Sequence, residues 1–509
     1  MLFDRVKPLD AILATAEKKS LHRSLGAFQL TMLGIGAVIG TGIFVLTAEA
    51  AQKAGPGMML SFIIAGFVCA VAALCYAEMS AMVPVSGSAY TYSYAVMGEL
   101  IAWMVGWALI LEYAVAAGAV SVGWSGYMIG YIEHAFSINI PDTWILGPFD
   151  GGVINLPAMI IAGVVTLLLI VGTKESATVN SFLVAIKIIA LTAFIVLSVP
   201  VMNMENFDPF APLGFGGISA AAASIFFAYV GFDAVSTAAE ETENPQRNMP
   251  IGLIGSLGIC TIFYMLVASG VIGSVGAQPV MNAAGVALEP GSKELTAQCA
   301  QIGNQAVTCS KEALAWTLRE IGWPQIGNLV GLAAILALPS VILMMMFGQT
   351  RIFFVMSRDG LLPEAFSRIH PKFNTPHVIT IITGIAVALF AAFFPVGQLA
   401  NISNSGTLFA FAAVSIAVLY LRKSDPDRHR PFRTPAVMLT APIAIIGCIY
   451  LFVSLDIKSI KLFLGWAAIG LVIYFLYSRN RSHVGQGHVE VHEDDADAPP
   501  TSVPPLPEL

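Results

Sequence analysis

Charged side chains are scarce in this chain: Asp, Glu, Lys and Arg make up 11% of its 509 residues. Soluble proteins carry about 25%, whereas 57% of the residues here are hydrophobic. This composition excludes a soluble domain and predicts an all-α polytopic membrane protein. The net charge of −7 lies in tails and loops, so no nucleic-acid partner is expected.

Residues that bind metals or act as catalytic bases are also sparse in the apolar segments. All eight histidines lie at segment ends, in loops or in tails, and no His-Glu-x-x-His motif occurs. A membrane-embedded enzyme would need such a group at mid-depth. We therefore expect no enzymatic activity, no metal site and no cofactor.

Cysteine is rare as well, with six residues. Four of them lie in apolar segments, where a thiol usually serves only for packing. The other two, Cys299 and Cys309, lie in the one long polar loop with nine residues between them. If that loop faces an oxidising compartment, they are a candidate disulfide.

Long apolar runs fill the rest of the chain, and their length predicts about twelve transmembrane helices. The approximate spans are 28–51, 57–82, 98–132, 153–172, 178–200, 216–239, 250–273, 325–356, 376–394, 398–421, 436–455 and 460–477. The third and eighth exceed one bilayer crossing and should tilt or project from it.

Polar segments flank the predicted transmembrane domain, residues 26–478. Residues 1–25 contain no cleavable signal peptide and are basic, which predicts a cytoplasmic N-terminal segment. Residues 479–509 are acidic and end in a proline-rich run, which predicts a disordered cytoplasmic tail.

Lys and Arg are unevenly distributed between the loops. With the N-terminus in the cytoplasm, eighteen of the 25 fall on the cytoplasmic side and six on the other, while Lys187 falls within a span. This bias predicts cytoplasmic N- and C-termini in an inner (cytoplasmic) cell membrane. It also places the loop of Cys299 and Cys309 outside.

Glycine is concentrated within the first span, in the stretch Gly34–Phe44. Each glycine weakens a helix by about 1 kcal/mol relative to alanine, and broken backbone hydrogen bonds cost more in lipid. A helix that breaks at mid-depth can hold a substrate there, as in transporters. The alternative is a glycine face for close helix packing.

A second interruption occurs in the sixth span, at Phe226–Asp233, where Gly231 precedes an acid. It begins a second set of five spans, just as the first break begins the first set. The pattern predicts a five-plus-five inverted repeat with two extra helices. The two repeats and the extra helices would occupy about 28–200, 216–421 and 436–477.

A broken helix offers two useful ends. The half that starts near Gly42 presents free N–H groups, which suit a carboxylate. The half that ends at Val38–Ile39 presents free carbonyls, which suit an ammonium group, and Phe227–Val230 adds more. An α-amino acid is the simplest small molecule with this charge pattern.

Four segments resemble those of one transporter superfamily: GIGAVIGTGIF (34–44), VPVSGSAYTYSYAVMGE (83–99), FFAYVGFDAVSTAAEETENPQRNMPIG (226–252) and GQTRIFFVMSRDGLLP (348–363). They are similar to the amino acid–polyamine–organocation superfamily, and to its bacterial cationic amino acid transporter branch in particular. The likeness runs from about residue 20 to 478. It implies the leucine-transporter fold, with the ligand held by broken helices 1 and 6.

The resemblance also implies a substrate site. Thr41 and Gly42 would contact the carboxylate, and carbonyls of Val38 or Ile39, with Phe227 and Val230, would face the amino group. The expected substrate-binding set is Val38, Ile39, Gly40, Thr41, Gly42, Glu112, Phe227, Ala228, Val230 and Leu338.

Lys187 is the most informative single charge. Counted from Thr178 at 1.5 Å per residue, it lies about 14 Å deep, too far for easy snorkelling to the interface. A charge at this depth is costly and is usually functional. It resembles the fifth-helix lysine of proton-coupled relatives, which implies proton coupling. A fixed positive charge that braces the first helix is the alternative.

Other candidates have weaker support. Glu112 lies in an otherwise apolar span and either lines the substrate cavity or hydrogen-bonds the sixth helix. Phe226 and Phe232 are candidate gates, although packing is the default role of an aromatic residue. A bulky Leu338 near the ligand favours small or medium neutral side chains. Asp233 is expected to cap the half-helix that begins there.

We therefore expect a secondary active transporter that imports neutral L-amino acids with protons by alternating access. Transport or exchange of cationic amino acids or polyamines is the runner-up, and an amino acid sensor with the same site is an alternative of another class. The expected partners are the amino acid, the proton and membrane lipid. A small single-span helper subunit is a further candidate, and the sequence does not identify it.

Overall fold

The computed structural model describes residues 5–7, 25–84, 87–138, 140–172, 177–302, 305–373 and 375–486. Most of the N-terminal segment 1–25, and the part of the tail from residue 487 onwards, lie outside the described residues. Within those residues the protein is helical, and β-pairing consists of two isolated bridges, Leu25 with Thr242 and Met281 with Ala287.

The α-helices between residues 27 and 473 follow one another along nearly the whole chain. In order they are α1 (Ala27–Val38), α2 (Thr41–Phe44), α3 (Leu46–Ala54), α4 (Met58–Met82), α5 (Ser88–Val96), α6 (Glu99–Phe136), α7 (Leu156–Val171), α8 (Ala177–Ser198), α9 (Gly214–Ile225), α10 (Pro245–Val275), α11 (Lys293–Gln301), α12 (Ala313–Glu320), α13 (Pro324–Arg358), α14 (His377–Phe393), α15 (Val396–Ser424), α16 (Val437–Val453) and α17 (Ile457–Ile473).

Seven helical segments among the described residues are long and apolar enough to cross a membrane, and five shorter apolar helices accompany them. These twelve segments follow the predicted spans in order, except that the end of span 1 joins span 2 in Leu46–Met82. The two spans predicted to exceed one crossing are α6, with 38 residues, and α13, with 35.

The first span is interrupted where its glycines cluster. Helix α1 ends at Val38, and α2 begins at Thr41 after two non-helical residues. Gly40 between them is extended, with φ −139° and ψ −149°. The predicted break is therefore present, and it lies inside a fully buried segment.

The sixth span breaks as well. Helix α9 gives way to a 3₁₀-helix, Phe226–Tyr229, and a second 3₁₀-helix begins at Phe232. Gly231 between them has φ +120°, a conformation that L-residues with side chains rarely adopt. The backbone therefore depends on glycine at this position.

The two broken spans lie at the centre of the bundle. Helix α1 packs against α10 and α8, while α9 packs against α3 and α4. The long helix α6 packs along α13 and α15. Large apolar side chains at intervals of seven on α8, namely Phe182, Ile189 and Val196, remain exposed, as expected of a lipid-facing surface.

Two faces of the bundle are used below as landmarks. The disulfide face carries the loop between α10 and α13, in which Cys299 and Cys309 form a disulfide with their Cα atoms 5.6 Å apart. The N-terminal face carries residues 5–7 and 479–486. The buried Glu99 there accepts hydrogen bonds from Arg5 at 3.2 Å and from Tyr474 at 2.9 Å.

Candidate functional site

The two helix breaks touch each other through their glycines. A Cβ atom added to Gly42 would lie 2.2 Å from the Cα atom of Ala228. One added to Gly231 would lie 2.9 Å from the carbonyl oxygen of Ala37. Since neither distance permits a side chain, both glycines are needed for the breaks to approach this closely. The sequence-predicted residues Val38–Gly42 and Phe227–Val230 are thus brought to one place.

The free carbonyls of both breaks share one hydroxyl group. The Oη atom of Tyr264, on α10, lies 2.8 Å from the carbonyl oxygen of Val38 and 2.8 Å from that of Ala228. Tyr264 is fully buried. Sequence reasoning missed this residue, because a tyrosine in an apolar helix is most simply explained as packing.

The N–H end of the site lies at the start of α2. The first three amides of a helix have no intrahelical acceptor, and here they belong to residues 41–43. Thr41 is fully buried, and its Oγ1 atom has no hydrogen-bond partner among the described residues. Gly123 of α6 lies against its side chain, because a Cβ there would be 2.5 Å from Thr41 Cγ2. The arrangement suits an anionic group that accepts hydrogen bonds.

Lys187 reaches the same helix from α8. Its side chain is buried, with 1% exposed, and its Nζ atom donates a hydrogen bond of 2.7 Å to the carbonyl oxygen of Gly36. Gly36 permits this approach, since a Cβ there would lie 2.8 Å from Val184. The lysine therefore binds a carbonyl in the last turn of α1, next to the break.

Glu112 faces α15 and the sixth span. It is fully buried, and a Cβ on Gly406 would lie 3.2 Å from its own Cβ. Its carboxyl lies near Asp233 and Thr407, but neither carboxyl oxygen makes a hydrogen bond of good geometry within the described residues. Glu112 thus adjoins the sixth span.

Asp233 closes the second break. Its Oδ1 atom accepts a hydrogen bond of 3.2 Å from the backbone N–H of Gly231, and its Oδ2 atom accepts one of 3.2 Å from Tyr113 Oη. Asp233 is the second residue of the 3₁₀-helix that follows the break, and its carboxylate reaches back to the N–H of Gly231, so it holds the break without being the N-cap residue that the sequence predicted.

The predicted gates and the predicted specificity residue are all buried. Phe226 and Phe232 both pack against Phe411, with ring centroids 5.8 Å and 5.0 Å apart, so these two aromatic rings belong to a packed cluster. Leu338 is fully buried on α13, immediately before the helix-internal Pro339. Their roles in gating and specificity stay predictions.

Comparison with known proteins agrees with this geometry. The family model described as "Amino acid permease" matches residues 25–477. The branched-chain amino acid permease BcaP of Bacillus subtilis (strain 168) is 44% identical over 94% of this chain and 97% of its own length. The methylthioribose transporter of the same organism is 41% identical over 94% of this chain and 98% of its own.

A plant relative is more distant. The chloroplastic cationic amino acid transporter 9 of Arabidopsis thaliana is 36% identical over 80% of this chain and 68% of its own length. The resemblance inferred from the four sequence segments is thereby confirmed, and a leucine-transporter-like fold follows from it. The chain is a multi-pass membrane permease of the amino acid permease family, within the amino acid–polyamine–organocation superfamily, and not an enzyme.

Proposed function

We propose that this permease imports neutral L-amino acids together with protons by alternating access, with branched-chain amino acids as the preferred substrates. The observation that carries the proposal is the meeting of the two helix breaks at Gly42 and Gly231, next to the buried lysine on α8. Together they provide an anion site, carbonyl acceptors and a titratable group within one buried region.

The polar ends of the breaks fit the two charged groups of an amino acid. The amides that open α2, with the unpaired Thr41 hydroxyl, would bind the carboxylate. The carbonyls of Val38 and Ala228 would accept hydrogen bonds from the ammonium group. An uncharged side chain would then contact the apolar Leu338 and Phe227, in agreement with the substrate named for the 44% identical relative.

Proton coupling is assigned to Lys187. Its ammonium form donates a charge-assisted hydrogen bond to Gly36, which is stronger than the bond that a neutral amine would make. Loss of the proton would therefore loosen α1, the half of span 1 that leads to the N-terminal face. A permanently charged Lys187 that only braces α1 is the alternative.

Orientation follows from the Lys and Arg bias in the sequence. It puts the N-terminal face in the cytoplasm and the disulfide face outside, where an oxidising environment preserves the Cys299–Cys309 bond. In a bacterial cell the membrane would be the cytoplasmic one.

Uptake into proteoliposomes tests the proposal. The panel contains leucine, valine, alanine, arginine, putrescine and methylthioribose, each with and without an imposed pH gradient. We expect accumulation of leucine and valine only with an inward proton gradient. Accumulation of arginine or putrescine, or of methylthioribose, the substrate named for the 41% identical relative, would overturn the substrate assignment. Binding without uptake would indicate a sensor.

A further inference from the structure

Gln52 is an unusual residue in span 1, because it is buried at the disulfide-face end of α3, with 1% exposed. A buried carboxamide is costly unless its donors and its acceptor are paired. Here all the partners come from one distant loop. The Nε2 atom donates to the carbonyl oxygens of Val280 (2.9 Å) and Leu288 (3.0 Å), and the Oε1 atom accepts from Val280 N–H (2.8 Å).

That loop is a small hairpin, residues 280–288. Leu288 N–H donates to the Val280 carbonyl at 3.1 Å, and Met281 and Ala287 form an antiparallel bridge. Asn282 Oδ1 accepts from two backbone amides at the tip, which fixes the turn. The carboxamide of Gln52 pairs with Val280 in both directions, as a neighbouring peptide group on another strand would.

The same end of α3 is packed on other sides. Gly55, with φ +59°, follows the helix, and a Cβ there would lie 2.7 Å from Pro212 and 3.4 Å from Pro279. The segment 307–309, which the disulfide ties to α11, also packs against α3. The hairpin is therefore attached to a helix end that is already surrounded.

We propose that Gln52 is a positioning residue of the transport cycle, which joins the hairpin 280–288 to the half of span 1 formed by α2 and α3, so that the two move as one body. When the site opens to the disulfide face, the hairpin must move with α3, since otherwise its three hydrogen bonds to Gln52 must break. The inference rests on the proposed alternating access and adds a named element to it.

The test uses exposure of α2–α3 to the disulfide face, and it does not require transport. A cysteine is placed at Val45, which is 6% exposed between α2 and α3, in the full-length protein reconstituted into liposomes. The four free native cysteines are buried, so a charged, membrane-impermeant methanethiosulfonate reagent should give little background. The rate at which the cysteine at position 45 is labelled from the disulfide face is compared between the protein with Gln52 and its variants.

The first variant is Gln52→Met, which keeps the side-chain length and removes all three hydrogen bonds. The matched control is Gln278→Met, at an exposed glutamine two residues before the hairpin, whose Nε2 atom donates a hydrogen bond to the Pro209 carbonyl. We expect Gln52→Met to raise the labelling rate about tenfold or more, because the loss of one net hydrogen bond from a two-state equilibrium gives about that factor and three hydrogen bonds are removed here. The control should leave the rate unchanged.

A second variant covers the case in which Gln52→Met fails to fold. Gln52→Asn keeps the carboxamide but shortens the side chain by one methylene, which weakens the three hydrogen bonds without adding a charge, so its labelling rate should be intermediate. Equal rates in the Gln52 variants and the Gln278 control would overturn the inference. Labelling does not depend on the substrate. Absence of amino acid uptake in the wild type would therefore contradict the proposed function, whereas the labelling rates would still test the role of Gln52.

Discussion

The two halves of span 1 are held in different ways. The α2–α3 half is fastened to other elements by side chains: Gln52 binds the hairpin with three hydrogen bonds, and Lys53, which pairs with Glu49 of the same helix at 2.6 Å, contacts Ser224 of α9. A further hydroxyl, from Tyr127 on α6, donates to the carbonyl of Phe44 at 2.8 Å, a bond that anchors α2.

The α1 half relies more on close packing of small residues. A Cβ on Gly34 would lie 2.4 Å from Ser256 of α10, and Gly36 lies as closely against α8. Side-chain hydrogen bonds also reach this half, from Lys187 to Gly36 at 2.7 Å and from Tyr264 to Val38 at 2.8 Å. Small residues allow helices to approach closely, whereas a network of satisfied side-chain hydrogen bonds makes a region rigid. Under the proposed function, the lysine that carries the proton therefore contacts the half of span 1 that fewer of these hydrogen bonds hold.

Loss of the contact between the breaks should have the largest effect. In Gly42→Ala the new Cβ would lie 2.2 Å from Ala228, so the breaks must separate. Overpacking of this kind costs about 1–3 kcal/mol, which predicts amino acid binding weaker by about five- to 150-fold. Gly163→Ala on α7 is the control, since nothing lies within 4 Å of its added Cβ. Equal binding in both variants would refute the assigned site.

Removal of the charged contact on α1 comes next. Lys187→Ala should abolish accumulation driven by a pH gradient while it partly spares substrate binding, because its hydrogen bond goes to Gly36 of α1 and the residues proposed to bind the substrate stay in place. Uptake with and without the gradient, together with equilibrium binding, measures this. Lys311→Ala, at a half-exposed position on the disulfide face, serves as control. Proton-driven uptake that survives in Lys187→Ala would remove the coupling assignment and leave the bracing role.

A smaller change is expected from the residue assigned to the substrate side chain. Leu338→Ala should admit larger amino acids, because it removes three methyl-sized groups from a fully buried position. Competition of leucine uptake by phenylalanine and tryptophan measures the change. Leu336→Ala, two residues away and 53% exposed to lipid, should leave the competition profile unchanged. Identical profiles for the two variants would count against Leu338 as a specificity residue.

The smallest effect on transport is expected on the disulfide face, where the prediction concerns the pH dependence of stability. Glu312 lies against Gly130, where a Cβ would overlap its carboxyl, and it pairs with Arg319. Burial raises the pKa of Glu312 from its ordinary 4.5 to about 7, although Arg319 opposes the shift. The folded state therefore binds the proton more tightly than the unfolded state, and the stability that this contributes below pH 4.5 is lost as the pH rises to about 7.

Thermal unfolding in detergent between pH 4 and 8 tests this effect. The wild type should lose at most about 1.4 kcal/mol per pH unit across that window, and Glu312→Gln should remove this part of the dependence. The control is Glu289→Gln, at an exposed carboxylate on the same face. A pH dependence identical in the wild type and Glu312→Gln would contradict the assignment.

Local sequence signals predicted much of the central architecture. Glycines mark both breaks, because only glycine tolerates the +120° φ of Gly231 and the close approach of Gly42. Counting along the predicted fifth span placed Lys187 about 14 Å from the membrane surface; its side chain is buried in the protein, and its depth in the membrane stays a prediction. These features depend on spacing within one helix, which a sequence displays directly.

The two breaks were expected to form one site, but individual side-chain contacts between distant segments were not predicted. Tyr264 lies 226 residues from Val38, and Gln52 lies 228 residues from Val280, so no local pattern links either pair. Each residue also has a simpler explanation in the sequence: Tyr264 as an aromatic core residue, and Gln52 as a polar residue at a helix end. The orientation in the membrane and the disordered tail stay predictions, the tail because residues 487–509 lie outside the described part of the chain.

The Tyr264 hydroxyl group has a consequence for the proposed amino acid substrate. It holds one hydrogen, yet two carbonyl oxygens lie 2.8 Å away, so Val38 and Ala228 compete for a single donor. A buried acceptor left without a partner costs about 1–3 kcal/mol. Under the proposed function, the ammonium group of the substrate would bring three donors and would bind whichever oxygen the tyrosine leaves. The hydrogen bond that Tyr264 cannot make twice would then contribute to substrate affinity.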